Sequence, residues 1–194
     1  MVLKLYGFPL STCTRRVRTV LAEKGVEAEF HPVDLAKGEQ KSESYLNDLH
    51  PFGKVPVLQD TETGVQIFGS QSPTNFPVQT MQALSIEQSY FDPLVSQIAF
   101  EKVFKVRKGL GETDEARVQV LFSQLTPVLE GYERVLSKHK YLAGDQVTLA
   151  DLAHLPYGVF VEQFGFADLL PKYPHVQKWW EELKARESWK KVTA

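Results

Sequence analysis

Cysteine is nearly absent from this chain of 194 residues, which contains Cys13 and no other. One cysteine cannot form an internal disulfide or a cysteine-based zinc site, so neither can hold the fold together. The chain is still long enough for a hydrophobic core, because a protein of this size buries roughly 70% of the surface of its unfolded chain. We therefore expect one or two domains, stabilised by apolar packing, in a reducing compartment.

An excess of one charge sign is also missing. The chain has 22 Lys and Arg residues against 24 Asp and Glu, for a net charge of −2, which argues against a nucleic-acid partner. No apolar run approaches the roughly 18 residues of a membrane helix, and residues 2–7 alternate like a strand instead of forming a signal sequence. We expect a soluble cytoplasmic protein with no membrane partner.

Short strands and short helices alternate in the first part of the chain, up to about residue 72. Apolar residues recur at helical spacing after Thr12, and Gly25 is a typical helix stop. The side chains on the apolar stripe of that helix are Cys13, Val17, Val20 and Leu21. The pattern predicts the order β-α-β-α-β-β, with strands near 3–7, 30–33, 54–58 and 65–68 and helices near 12–24 and 42–49.

The rest of the chain, residues 73–194, has helical periodicity only. A long stripe runs from Val118 to Leu136, and an earlier helix contains Pro93, which is expected to kink it. Thr148 and Asp151 have the spacing of a capping box, and Pro174 suits the first turn of a last helix. We predict two domains, at 1–72 and 73–194.

Two places could carry chemistry. Ser11 stands where a strand and a Pro-containing loop give way to a helix, a position favourable for an anion because of free amides and the helix dipole. Capping is the more common role of a serine there. The second place is Pro56 at a strand start: a cis bond after Val55 would turn the Val55 backbone outward for an extended peptide ligand, although X-Pro bonds are cis only about 5–6% of the time.

Five segments together resemble phi-class glutathione S-transferases, and their sequences are more similar to those of fungal members than to those of plant members. They are STCTRRV at 11–17, KGEQK at 37–41, PFGKVP at 51–56, EQSYFDP at 87–93 and YLAGDQVTLADLAHLPY at 141–157. The resemblance implies a thioredoxin-like α/β N-terminal domain, an all-helical C-terminal domain and a homodimer. It implies that the enzyme transfers glutathione, its co-substrate, to hydrophobic electrophiles.

The resemblance also implies site residues. Ser11, beside Thr12, would stabilise the glutathione thiolate. Gln40, Lys41 and Lys54 would contact the glycyl carboxylate. The backbone of Val55, before Pro56, would pair with the cysteinyl residue, and Gly69 and Ser70 would lie at the γ-glutamyl end, Ser70 binding its carboxylate. No metal site is expected, because the five histidines lack ligand spacing.

The sequence departs from the family in two ways. Gly69 replaces the usual glutamate, and the loss of a charged hydrogen bond of about 1.5–3 kcal/mol could weaken glutathione binding. The segment after Ser70 is short and contains Pro73 and Pro77, so a third helix and a linker do not both fit before the long helix near Ser85. That helix is expected to be missing or rebuilt, which puts the dimer in doubt.

Further expectations concern the acceptor and two other functions. The acceptor pocket would be lined by Phe8 and Leu10 on one side and by the helices near Phe91 and Phe104 on the other, although such aromatics pack in a core more often than they contact a ligand. Arg15 and Arg16 would form a solvated or salt-bridged helix face. One alternative is thiol transfer through Cys13, although a buried inert thiol is favoured there. The other is a non-catalytic carrier of hydrophobic ligands with the same fold.

Overall fold

The computed structural model describes residues 3–68 and 78–194, and contacts divide the chain into two units. Unit 1 comprises Met1–Thr74 and Glu187–Ala194, and unit 2 comprises Asn75–Arg186. This division differs from domains at 1–72 and 73–194 mainly at the C-terminus, whose last residues pack with the first unit. In the part of the chain that the structure describes, no helix is both long and apolar enough to cross a membrane.

Unit 1 contains a four-stranded sheet with the order β2-β1-β3-β4. The strands are β1 (Leu3–Gly7), β2 (Glu29–Pro32), β3 (Val57–Asp60) and β4 (Gln66–Phe68). β1 and β2 run parallel, while β3 is antiparallel to both β1 and β4. With the helices below, the sheet confirms the predicted β-α-β-α-β-β order and the thioredoxin-like fold.

The strand register brings four chain segments to one edge of the sheet. Val57, the first residue of β3, lies opposite Tyr6 near the end of β1 and opposite Phe68 at the end of β4. Gly7 pairs with Pro32 at the end of β2. The loops after β1 and β2 and the loop before β3 therefore begin or end side by side at this edge. β3 begins later than predicted, because Pro56 has no N–H for the strand ladder.

Unit 1 also contains α1 (Thr12–Glu23), a 3-10 turn at Glu39–Lys41 and α2 (Glu43–Asp48). The predicted apolar stripe on α1 is wrong. No residue of α1 is exposed, and the fully buried ones are Thr12, Thr14, Arg16 and Thr19. Of the two alternatives predicted for Arg15 and Arg16, the solvated face is wrong for Arg16, which is 3% exposed, and Arg15 is half-buried; the salt-bridged face stays a prediction. The four residues of the predicted stripe are half-buried, and the face that is fully buried is made of three threonines and an arginine, which apolar periodicity cannot detect.

Unit 2 is entirely helical in its described residues. Its first part is a nearly continuous helix made of α3 (Val78–Ile86), α4 (Asp92–Ala99) and α5 (Lys105–Arg107), joined by π-helical turns at Glu87–Phe91 and Phe100–Phe104. Pro93 follows directly after the first π-helical turn, where the backbone hydrogen-bonding pattern changes.

The second part of unit 2 contains α6 (Glu115–Leu136), α7 (Leu149–Ala153), α8 (Leu155–Val161), α9 (Ala167–Leu169) and α10 (Pro174–Lys184). The capping box of Thr148 and Asp151 is confirmed, as is the helix that begins at Pro174. The buried core side chains include Val95, Ile98, Leu125, Leu129, Leu155, Val176, Trp180 and Leu183.

The last helix, α11 (Glu187–Thr193), was missed in the sequence. It packs against α1, and Ser188 Oγ donates a hydrogen bond of 2.6 Å to Glu23 Oε2. Trp189 and Val192 are buried. The chain thus returns to unit 1 after unit 2, and α11 covers one side of the helix that begins at Ser11.

Candidate functional site

The predicted site residues gather at the sheet edge formed by the ends of β1, β2 and β4 and the start of β3. Ser11 follows β1, Gln40 and Lys41 follow β2, and Lys54 and Val55 precede β3. Segments that leave a sheet at one edge present their side chains and main-chain groups to a common space. The fold therefore assembles residues that are up to about 45 positions apart in the chain.

Ser11 is the N-cap of α1. Its Oγ accepts a hydrogen bond of 3.3 Å from Thr14 N–H, so the capping role is confirmed. A serine hydroxyl can accept and donate at the same time. Within residues 3–68 and 78–194 no acceptor takes the Ser11 O–H, and the N–H groups of Thr12 and Cys13 have no acceptor either. Capping therefore leaves one O–H and two amides available for an anion.

The start of α1 is packed closely onto the end of β1. A Cβ added to Gly7 would lie 2.6 Å from Thr14 Cγ2 and 2.8 Å from Thr14 Oγ1. Only glycine fits this contact, because real Cβ atoms do not approach so closely. The position of Ser11 is thus constrained by the close contact of the Gly7 backbone with the Thr14 side chain in the first turn of the helix.

A tight turn holds the 3-10 segment against the loop before β3. Lys41 Nζ donates a hydrogen bond of 2.9 Å to the Phe52 carbonyl, and Gly53 has φ of 58°. A Cβ on Gly53 would lie 2.6 Å from the Gln40 carbonyl and 2.8 Å from Lys41 Nζ. Gln40 and Lys41 are therefore brought next to Lys54 by a turn that only glycine can make without strain.

A buried histidine lies within this turn. His50 is 5% exposed, and its Nδ1 accepts a hydrogen bond of 3.2 Å from Phe52 N–H. Burial, followed by the positive charges of Lys41 and Lys54, lowers the pKa of His50 below its ordinary value. The sequence analysis assigned His50 no role. Its position just before a Pro-Phe-Gly turn, with lysines on either side in sequence, is the signal that could have identified it.

Tyr45 anchors the main chain of the same loop. Its hydroxyl donates a hydrogen bond of 2.9 Å to the Lys54 carbonyl, and burial raises the pKa of Tyr45 to about 12. Lys54 itself is exposed. The lysine side chain is therefore free to reach a ligand while its main chain is anchored.

Val55 is joined to Pro56 by a cis peptide bond, the less common of the two alternatives. Val55 is half-buried and precedes β3, and neither its N–H nor its C=O is bonded to another backbone group in the part of the chain that the structure describes. The remaining predicted contacts, Gly69 and Ser70, and the expected shortened segment with Pro73 and Pro77 lie outside the described residues.

Of the four residues named for the acceptor pocket, three have exposed or partly exposed side chains and one is buried. Leu10 is 66% exposed, while Phe8 and Phe104 are half-buried. Phe104 stacks on Phe160 at a centroid distance of 5.7 Å. The prediction is wrong for Phe91, which is 1% exposed and packs against His154 in the core of unit 2. A large aromatic at a helical core position contributes to packing and cannot also meet a ligand.

Cys13 is half-buried and free, not fully buried as expected. The difference follows from the rotation of α1, which buries Thr12 and Thr14 on either side of it. One cysteine cannot form a disulfide within the chain.

Two family models match the chain. The model described as glutathione S-transferase, N-terminal domain, matches residues 1–71, and the model described as glutathione S-transferase, C-terminal domain, matches residues 88–187. The first range lies within unit 1, and the second covers unit 2 from residue 88 to its end.

Curated relatives extend over almost the whole chain. A glutathione S-transferase of Arabidopsis thaliana, PM239X14, is 42% identical, covering 93% of this chain and 90% of the relative. The glutathione S-transferase hmp2 of Hypomyces subiculosus is 38% identical, covering 100% of this chain and 99% of the relative. Relatives named F9 and F10 from Arabidopsis thaliana carry the F designation of the phi class.

Solved structures share the fold. Glutathione transferase F7 from Populus trichocarpa has a TM-score of 0.87 at 33% identity, covering 98% of this chain and 97% of that one. A glutathione S-transferase I bound with lactoylglutathione has a TM-score of 0.89 at 32% identity, with the same coverage. The matching domain models and the relatives, at 42% and 38% identity over most of the chain, show that the chain belongs to the glutathione S-transferase family.

Proposed function

We propose that this protein transfers glutathione to hydrophobic electrophiles and that Ser11 stabilises the glutathione thiolate. The observation that carries the proposal is the Ser11 hydroxyl, whose oxygen caps α1 while its O–H remains unpaired beside the free amides of Thr12 and Cys13. An anion placed there meets one hydroxyl donor and the positive end of a helix of 12 residues.

The energies are sufficient without a general base. Lowering the pKa of a thiol from about 8.5 to about 7 requires roughly 2 kcal/mol. A helix N-terminus contributes about 0.3–1 kcal/mol, and a hydrogen bond to a charged group contributes about 1.5–3 kcal/mol. Thiolate formation at neutral pH therefore needs only Ser11 and the start of α1.

The turn that carries Lys41 and Lys54 would bind the glycyl end of glutathione. Lys41 uses one N–H on the Phe52 carbonyl and has two more for the glycyl carboxylate, which Lys54 can also reach. Gln40 lies beside them, and its Oε1 is buried without a partner within residues 3–68 and 78–194. The unpaired backbone of Val55 would bind the cysteinyl residue, next to Pro56 and opposite the end of β1.

The γ-glutamyl end would be held by Ser70, with Gly69 in place of an acidic partner. The aligned region with the Hypomyces subiculosus relative spans 212 positions against 194 residues in this chain, a difference of 18. That difference supports a shortened segment. We infer that it lies after Ser70 and that Gly69 and the short segment weaken glutathione binding. Closer kinship to fungal members stays a prediction.

Substituting Gly53 tests the glutathione site. Gly53→Ala places a Cβ against the Gln40 carbonyl and Lys41 Nζ, so it should displace Lys41 and weaken glutathione binding about tenfold. The wild-type protein should be retained on immobilised glutathione and turn over a chlorinated aromatic substrate, and the variant should elute early.

Gly64→Ala is the matched control. Gly64 has φ of 71°, and a Cβ there would meet nothing within 4 Å, so the control carries the backbone strain without the contact. If the wild type is retained on immobilised glutathione and the two variants elute together, the proposed position of Lys41 in the glutathione site is contradicted. A wild-type protein that binds no glutathione would favour the carrier of hydrophobic ligands.

We also infer a homodimer in which a second copy covers an apolar face of unit 2. A cavity of about 600 Å³ lies between α3–α4 and α6, lined by Ile86, Leu94, Pro127, Val128 and Val135. Tyr90, at its rim, is 58% exposed, and Phe52 in unit 1 is an exposed aromatic at 70%. Apolar surface of this kind marks an interface more often than a monomer's exterior.

Tyr90→Asp should shift the protein from dimer to monomer in sedimentation velocity, because a charge would be desolvated at the interface. Val65→Asp, at a site 54% exposed in the turn before β4, serves as the control and should remain a dimer. A monomeric wild type would overturn the inference.

A cytoplasmic location, where glutathione is kept reduced, stays a prediction of the sequence.

A further inference from the structure

We infer that His50 is a positioning residue that restricts glutathione binding to neutral and alkaline pH, an inference that rests on the proposed function. His50 does not reach the ligand in this scheme. It holds the turn that presents Lys41 and Lys54, and it can hold that turn only while its Nδ1 is an acceptor.

His50 closes the turn from both its side chain and its main chain. Its Nδ1 accepts the Phe52 N–H at 3.2 Å, and its carbonyl accepts the Gly53 N–H at 2.8 Å. Its own N–H donates to the Tyr45 carbonyl at 2.9 Å, which ties the turn to α2. The ring is packed against Phe52 and Phe68, at centroid distances of 6.1 and 4.8 Å.

The Phe52 peptide connects the histidine to the lysine. Its N–H is bound by His50 Nδ1, and its carbonyl is bound by Lys41 Nζ at 2.9 Å. A shift of Phe52 would therefore move the ammonium group that is proposed to bind the glycyl carboxylate. Tyr45 anchors the next residue, since its hydroxyl donates to the Lys54 carbonyl.

The charges around the ring favour its neutral form. Lys41, from the 3-10 turn, and Lys54, from the loop before β3, are the charged groups that act on His50 in the described residues, and both lower its pKa, after burial as the largest cause. The phenylalanines from the turn and from β4 carry no charge, and Tyr45 is protonated because its pKa is about 12. The imidazole is thus an Nδ1 acceptor with the proton on Nε2.

Protonation would reverse the contact. Below the lowered pKa, Nδ1 carries a proton and faces the Phe52 N–H, so a partly buried donor loses its acceptor and the turn is destabilised. The added positive charge attracts the carboxylate, but an exposed ion pair raises affinity by at most about fivefold. The displacement of the turn that presents Lys41 weakens glutathione binding more than the added positive charge strengthens it. The affinity for glutathione therefore falls on acidification.

The test is calorimetric binding of S-methylglutathione, whose blocked sulfur removes thiol ionisation from the pH profile. For the wild type the dissociation constant should rise about tenfold between about pH 7.5 and about pH 5. His50→Asn keeps an oxygen that can accept the Phe52 N–H but does not titrate, so its affinity should stay within about twofold across that range. His50→Leu should bind weakly at every pH, with a raised KM for glutathione and an unchanged kcat.

Each outcome has a distinct meaning. Parallel pH profiles for the wild type and His50→Asn would overturn the inference while leaving the glutathione site intact. A His50→Leu variant that is folded by circular dichroism and binds as the wild type does would overturn it too. A wild type that binds no S-methylglutathione at about pH 7.5 would overturn the proposed function, and this inference with it.

Discussion

Ser11→Ala is expected to reduce kcat/KM for conjugation of glutathione to a chlorinated aromatic substrate by about 10- to 150-fold. The hydroxyl contributes a hydrogen bond to a charged sulfur worth about 1.5–3 kcal/mol, and each 1.4 kcal/mol is about tenfold in rate. The KM for glutathione should change little, because Lys41, Lys54 and Val55 are proposed to bind other parts of the molecule. Steady-state kinetics at saturating acceptor measure both quantities.

Two controls separate chemistry from helix stability. Ser11 also caps α1, so its removal costs about 1 kcal/mol of folding free energy. Asp114→Ala removes the cap of α6, where Asp114 Oδ1 accepts Arg117 N–H at 2.9 Å, and should lower stability without a comparable loss of turnover. Ser11→Thr keeps a hydroxyl and a cap and should retain most activity. If Ser11→Ala turned over the substrate as fast as the wild type does, the proposed role of Ser11 would be contradicted.

Asp151→Ala is expected to lower the free energy of unfolding by about 3–5 kcal/mol or more. The Asp151 carboxylate is fully buried, and burial raises its pKa. It accepts four hydrogen bonds, of 2.8 Å from Thr148 N–H, 3.0 Å from Thr148 O–H, 3.0 Å from Leu142 N–H and 3.0 Å from Trp179 Nε1–H. Alanine would leave these donors buried without an acceptor, each at a cost of about 1–3 kcal/mol.

Denaturant unfolding followed by tryptophan fluorescence measures the effect, since Trp179 is one of the donors. Asp151→Asn keeps one acceptor oxygen and should fall between alanine and the wild type. Asp168→Ala, at an exposed position on α9, should change stability by no more than about 0.5 kcal/mol. A cost below about 1 kcal/mol for Asp151→Ala would contradict the account of this network.

The fold was predictable because most of its elements have one solvated face. The β-α-β-α-β-β order follows from turn residues and alternation, and the α6 stripe has the buried positions that its spacing predicts, such as Leu125 and Leu129. Periodicity was misleading on α1, because its fully buried side chains are polar and include Thr14 and Arg16, while its apolar stripe is half-buried. It gave no sign of α11, since a seven-residue helix is too short for a period to stand out.

The site was predictable in part. The position of Ser11 at a strand-to-helix loop indicates an anion site from the residues alone, whereas the roles of Lys41, Lys54 and Val55 depend on the family resemblance. Phe91 was misassigned, because a buried and a ligand-facing aromatic look alike in sequence. His50 was missed because its proposed function depends on tertiary contacts, the packing of its ring against Phe52 and Phe68, which no local spacing encodes.

The central claim is that Ser11 and the start of α1 ionise the glutathione thiol. The most direct test is a pH titration of the thiolate ultraviolet absorbance of glutathione bound to the wild-type protein and to Ser11→Ala. The account predicts that the thiol on the wild type has a pKa near or below about 7 and that the pKa on the variant returns toward about 8.5. A bound thiol that ionises near about 8.5 on the wild type, as in free solution, would contradict it.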